Sequence, residues 1–454
     1  MVDRIKSPRL RVLDEEDARR IHRAALQILA EVGMDIQDED TRKRLKDLGC
    51  REGDDGYLRF DEDLVQQALL TVAPRVVLYD RNGQAAIATD DGVPRFGPGI
   101  GCVNILDYKS GQHRPCRLAD ISQTARLCEQ LSHIDLVGSL GNPSDIDPRE
   151  ESLETVRAIV PRTRKPLVFT VHNEIEAERV WAYLAEVAGS RQSLAAKPFA
   201  IDLTGPTSPL MLGPDACRRL RHAARNFLPV VCYPGLLLGA AGPVTLAGAL
   251  AQSSAETLAS IVIHQTEQPG APVISGSGIL PLDMRAAMLA YGAPEYALVC
   301  LAAADYLKDL GVPSWVGAGC SDAHTVDAQA AAEAGMNMLA AVLAGTSLIH
   351  NLGFLSAGKT GSLEMLVLCD EIAGMVSRFA RGTRVTAETL AVDVTKRAGK
   401  TGLFLKDRHT VKHMRTEMWL PGLFERTFPG DWREAGSKTM NARIREKLFE
   451  LLGE

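Results

Sequence analysis

The sequence predicts an α/β protein built as a closed (β/α)8 barrel, a TIM barrel, with a helical N-terminal cap and a C-terminal extension. Eight short apolar runs follow one another, and each leads into an amphipathic segment of helix length. Their starts recur at the spacing of a βα unit, without a break in the order. Polar residues bunch just past the ends of these runs, where a parallel barrel places its catalytic mouth.

Residues 1–96 read as the cap. Glu15–Gly33 sets Ile21, Ala25, Ile28 and Leu29 at helical spacing and stops at a glycine. EDTRKRLKDLGC and DEDLVQQALLTV read as two shorter helices, and RVVLYD and QAAIATD flank an Asn-Gly turn as a hairpin. The barrel, residues 97–382, takes its strands at 102–106, 134–140, 166–171, 198–205, 229–235, 272–278, 313–319 and 347–353. Its helices fall at 119–131, 150–160, 174–189, 215–227, 244–265, 295–311, 327–345 and 362–382. Continuous apolar strands are what a sheet covered on both faces requires. The alternative, an open doubly wound sheet, lacks a GxGxxG opening its first helix. Residues 383–454, with Trp419, Pro421, Trp432 and the closing helix SKTMNARIREKLFELLGE, read as an extension packed on the barrel or on a neighbouring subunit.

Hydrophobic residues make up 46% and charged residues 24%, and the formal charge is -6, so no basic surface for nucleic acid is indicated. Nine cysteines without a CxxC pair, behind an N-terminus MVDRIKSPRL that lacks the apolar core of a signal peptide, point to a reducing, cytoplasmic setting. The longest apolar run, Leu228–Gln252, is broken by Pro234, Gly235, Gly239, Gly242 and Pro243, which argues against a membrane span.

The candidate site follows the predicted strand ends. FGPGIG, including Gly99, lets backbone approach a ligand or seals a tight turn, and Asn104 lies in the strand behind it. Thr204 and Ser208 in TGPTSPL, and Ser275 and Ser277 in SGSGILPLD, are hydroxyls for a polar ligand or ordinary turn residues. Glu295 stands at a helix entrance behind Pro294. Asp327 is explained as a helix cap, whereas Asp322 and His324 in the same loop are left for a cationic substrate and for proton exchange. His350 and Asn351 end an apolar strand, where a lone histidine is either a hydrogen-bonded core residue or a site residue. Phe354 offers an aromatic face to a quaternary ammonium, or simply plugs the barrel, and Tyr233 stands at the end of a predicted strand. Cys320, His324 and Glu364 have zinc-ligand chemistry but no metal spacing, and no GxSxG is present.

The run Gly317–Ile372, beginning GAGCSDAHTVDAQ, together with TGPTSPL and SGSGILPLD, resembles the trimethylamine methyltransferase family. The resemblance extends over nearly the whole chain, to His413, Trp419 and Pro421 in the tail. It implies a (β/α)8 barrel that moves a methyl group from an amine to the cobalt of a separate corrinoid protein. The archaeal trimethylamine enzymes insert pyrrolysine; a chain written in the twenty standard residues resembles the non-pyrrolysine branch, whose assigned members act on quaternary amines such as glycine betaine. A quaternary nitrogen leaves as a neutral tertiary amine, so positioning takes the place of acid catalysis.

On that resemblance Asp322, His324 and His350 are the catalytic candidates. Asn351, Phe354, Tyr233, Thr204, Ser208, Ser275, Ser277, Glu295, Gly99 and Asn104 are the substrate-binding ones. No metal and no tightly bound cofactor are expected, because the cobamide-binding DxHxxG string is missing and DAHTVDAQ does not match it. The expected partners are a cognate corrinoid protein, a small quaternary amine and further copies of the chain as a trimer or hexamer, with neither nucleic acid nor membrane. The rival readings are another barrel enzyme, a lyase or metal-assisted hydrolase on a small polar substrate, and a non-catalytic barrel subunit.

Overall fold

The computed structural model describes residues 8–453. Most of the N-terminal decapeptide read above, and Glu454, the last residue of the closing helix expected from the sequence, lie outside the described residues.

The cap forms as expected from three helices, α1 (Glu15–Glu31), α2 (Glu39–Asp47) and α3 (Glu62–Thr71). Asp14 and Asp38 cap the first two by accepting the amides of Asp17 and Thr41 at 2.8 and 3.0 Å. The hairpin strands Val77–Tyr79 and Ala85–Ala88 do not stay with the cap. Val76, Leu78 and Ile87 join Leu136, Val168, Ile201, Val231, Ile274, Trp315 and Leu348 in one buried cluster. That cluster is the barrel interior, and the hairpin is its floor.

Seven barrel strands form one parallel sheet. In chain order they are Arg95–Pro98, Leu167–Phe169, Ala200–Thr204, Val230–Cys232, Val273–Gly276, Ser314–Gly317 and Leu348–Leu352, the last pairing with the first. The eighth, around 134–140, closes the ring between the first two. Asp135 N donates to Phe96 O at 2.7 Å and Leu140 N to Gly99 O at 2.9 Å, while Val137 N donates to Pro166 O at 2.8 Å on the other side. The barrel is therefore complete.

One strand differs from the sequence reading. The first barrel strand is Arg95–Pro98, a little ahead of the boundary expected at 97, and not 102–106. Glycines at inward positions of this strand made it look like a turn. Asn104–Leu106 instead belongs to a side sheet with His113–Pro115, Phe354–Leu355 and Thr360–Ser362.

The barrel helices are α4 (Leu118–Gln130), α5 (Glu151–Ile159), α6 (Glu174–Ala188), with the short α7 (Arg191–Ala196) behind it, α8 (Pro214–Arg225), α9 (Leu246–Glu267), α10 (Pro294–Asp309), α11 (Ala328–Ala344) and α12 (Leu363–Ala380). Among the described residues α9 is the one helix long and apolar enough to cross a membrane, and 83% of its most apolar window is buried. α1, α3 and α8 surround it, which is why it lacks a polar face.

The extension holds α13 (Ala387–Leu390), α14 (Val392–Ala398), α15 (Arg408–Glu417), α16 (Pro429–Glu434) and α17 (Met440–Leu452). α17 buries Ile444, Leu448 and Leu452 against α12 and α4. Glu371 on α12 accepts the amides of Gly422, Leu423 and Phe424 at 3.1, 2.8 and 3.2 Å, and Glu364 pairs with Arg445 at 2.8 Å. These two glutamates hold the tail to the barrel.

Candidate functional site

Strand alternation decides which side chains enter the barrel. Because Ile201, Val231, Ile274, Trp315 and Leu348 point inward, so do the residues two further on: Leu203, Tyr233, Gly276, Gly317 and His350. Two of these five are glycine, and with Gly99 and Gly278 nearby they leave space that rings occupy. A Cβ on Gly99 would lie 2.1 Å from the Phe354 ring, one on Gly278 2.7 Å from Tyr233 Cε1, and one on Gly317 2.0 Å from the Tyr296 hydroxyl.

The rings form a continuous wall. Trp315 lies 4.8 Å from His350, which meets Tyr233 edge-on at 5.1 Å and 87°. Tyr233 is hydrogen-bonded to Tyr296, Tyr296 stands edge-on to Tyr291 at 5.2 Å, and Tyr291 contacts Phe354 at 6.3 Å. Burial holds all three tyrosines as neutral phenols. Solvent reaches the wall from the other side of the mouth, where Thr170 is exposed and Leu203 and Tyr233 are half-buried.

His350 is buried and its Nδ1 lies 2.9 Å from the Val316 carbonyl. A carbonyl only accepts, so Nδ1 carries the proton and Nε2 the lone pair. Burial lowers its pKa to about 4, so the ring is neutral at physiological pH. Asn351 beside it is buried with φ at +76°, a left-handed conformation that asparagine tolerates better than most residues, and its amide reaches the Tyr296 hydroxyl at 3.4 Å.

Asp322 accepts the amides of Tyr291 and Gly292 at 2.8 and 2.9 Å. Desolvation, with Glu333 adjacent, raises its pKa. Glu333 in turn accepts from Ser321 Oγ at 2.6 Å and Asp322 N at 2.9 Å. This carboxylate pair straps the loop that carries Tyr291, and Asp322 thereby sets the position of the wall.

Other sequence candidates lie elsewhere. Thr204 and Ser275 alternate with the inward Leu203 and Ile274 and so face the helices; Ser277 bonds Ser253 on α9 at 3.0 Å. These are corrections to their expected place at the mouth. Ser208 donates to the buried Glu256 at 2.6 Å, which also accepts Leu210 N at 2.9 Å and so organises the loop 205–210. Glu295 is exposed on the first turn of α10. His324 is exposed and bonds Ser356 Oγ at 2.9 Å, while Asn104 is held in the side sheet. Gly99 is placed at the wall as the shelf under Phe354.

Tyr291, Tyr296 and Trp315 escaped the sequence reading. The signal for the first two was the string AYGAPEY past the sixth predicted strand, where Glu295 drew attention from the tyrosines on either side. Among the described residues no group of three His, Cys, Asp or Glu is placed to hold a metal. Cys320 is buried with its thiol pushed well up, and Glu364 belongs to Arg445.

The sequence profile described as trimethylamine methyltransferase matches residues 2–454. The chain belongs to the trimethylamine methyltransferase family. Within that family it is 30% identical to trimethylamine methyltransferase of Desulfitobacterium hafniense (strain DSM 10664 / DCB-2), covering 99% of this chain and 91% of the relative. It is 31% identical to trimethylamine methyltransferase of Methanosarcina barkeri, over 98% and 90% of the two chains. It is 29% identical to glycine betaine methyltransferase of D. hafniense (strain Y51), over 95% and 90%. The crystal structure of Methanosarcina barkeri monomethylamine methyltransferase superposes with a TM-score of 0.53 at 12% identity, over 98% of this chain and 88% of that one, a likeness of fold. As a trimethylamine methyltransferase family member the protein is a methyltransferase, and the wall of rings lies at the mouth of its barrel.

Proposed function

We propose that this methyltransferase takes a methyl group from a quaternary amine of the glycine betaine class and delivers it to the cobalt of a corrinoid carried by a separate protein. The observation that carries the reading is the aromatic wall with its neutral histidine. A permanent cation is attracted to ring faces, each worth about 0.5 to 2 kcal/mol, and a neutral His350 does not repel it. Tyr233, Tyr291, Tyr296 and Phe354 would hold the trimethylammonium head, with His350 Nε2 and the Asn351 amide beside it. The leaving group departs as a neutral amine, so no side chain has to donate a proton. The chain's own contribution is to bind, to aim one N-methyl outward through the mouth, and to keep water from the rings.

The corrinoid is a second substrate that approaches over Thr170, Leu203 and Tyr233. Nine free, buried cysteines support a reducing, cytoplasmic setting. The same reading makes the working unit a symmetric homo-oligomer, a trimer or hexamer. The test is spectroscopic: mix the protein with reduced free corrinoid, add glycine betaine, proline betaine, carnitine and trimethylamine in turn, and follow loss of the Co(I) absorbance. Betaine-class donors should react and trimethylamine should not. Reaction with trimethylamine alone, or with none of the panel, overturns the proposal.

A further inference from the structure

Residues 382–417, between α12 and the stretch held by Glu371, leave the barrel as an arm. Arg378 closes its base, donating from Nε to Glu417 O at 2.8 Å and from Nη1 to Gly382 O at 3.2 Å, so the two ends of the arm meet at one guanidinium. Inside the arm Arg397 binds Asp407 at 3.0 Å, and Glu388 binds both Lys412 and His413. Among the described residues, the side-chain hydrogen bonds that join the arm to the body are those of Arg378.

The arm buries almost nothing. α13 and α15 have no buried residue, and α14 buries Val394 and Ala398. Meanwhile Leu405 is 86% exposed, Val411 66% and Leu390 61%, with Phe379 at the foot of the arm 55% exposed. Ordering a segment of this length without burial is unfavourable, and large apolar side chains left exposed along it mark a binding face. Charge identifies the occupant. Residues 381–415 carry nine Lys/Arg against three Asp/Glu, in a chain whose totals are 51 and 57. The remainder is therefore strongly acidic, and residues 14–63 of the cap alone hold sixteen Asp/Glu against nine Lys/Arg.

We propose that this arm is a clasp for a second copy of the chain, its apolar side chains covering the neighbour's body and its basic ones facing the neighbour's acidic surface. Each copy offers both the arm and the surface it fits, the condition for a closed symmetric assembly. The inference is independent of the methyl donor.

Light scattering of the full chain at micromolar concentration tests it. One variant replaces residues 383–416 by a short Gly-Ser linker, which the shared Arg378 anchor makes feasible; a second combines Leu405→Glu with Val411→Glu at exposed positions. The wild type should run as an oligomer, and both variants should fall to the monomer mass with unchanged circular dichroism. A monomeric wild type overturns the proposal, as does a double variant that keeps the wild-type mass. Retained mass with lost methyl transfer to the corrinoid protein would assign the arm to that partner and overturn it equally.

Discussion

His350 is the residue whose chemistry its surroundings change most. Its pKa falls from 6.5 to about 4 on burial, so between those values the unfolded chain binds a proton that the folded chain refuses. Stability should therefore fall as pH drops from 6.5 towards 4, by about 1.4 kcal/mol per pH unit for this one group. Subtracting the pH profile of His350→Gln from that of the wild type, by urea denaturation, should isolate this slope; parallel profiles would contradict it. Tyr233 should act through its ring and not its hydroxyl. Tyr233→Leu should weaken binding of a quaternary donor by roughly 2- to 30-fold in calorimetry, from the loss of one cation–π contact, while Tyr233→Phe should change it little. The place of Tyr233 and His350 at the barrel mouth was legible in the sequence because they follow strand cores at once. Ser275 and Ser277 misled because a strand buried on both faces is apolar at every position, so its composition does not say which residues point inward.

At the scale of single elements, the loop before α10 depends on Asp322. Asp322→Ala leaves two amides without their acceptor, a cost of about 1 to 3 kcal/mol each where water cannot replace it. The expected result is faster hydrogen exchange at Tyr291 and Gly292 and a higher KM for the donor, with the barrel still folded. The glycine shelves make the opposite kind of test, by addition. Gly99→Ala puts a methyl 2.1 Å from the Phe354 ring, so the ring must move, and donor affinity should drop at least tenfold while Gly101→Ala, which meets nothing within 4 Å, leaves the wall in place. The strain that Gly101→Ala brings at its positive φ is read separately, as a change in Tm. The helices were legible almost to the residue because amphipathic periodicity and caps are local signals. The first barrel strand was not, because Gly97 makes room for Leu136 and Gly99 for the ring of Phe354, both partners that the local sequence does not show.

For the whole molecule, the barrel closes through the 134–140 segment and leaves its upper interior to one wall of rings. On the proposed division of labour the purified protein should carry no cobamide, and its visible spectrum should be featureless until the partner is added; a stoichiometric cobalt signal would contradict it. The order of the eight units was legible because each repeats the same pattern, whereas the arm and the aromatic wall depend on contacts between distant segments. The wall also limits how such a protein can diversify. Its shelves are glycines, already as small as amino acids allow and already covered by the rings that lie on them, so no single substitution there can make more room. Any replacement there only displaces a ring. Descendants that accept bulkier donors must trim a ring instead, and so give up part of the grip on the cation to gain the room.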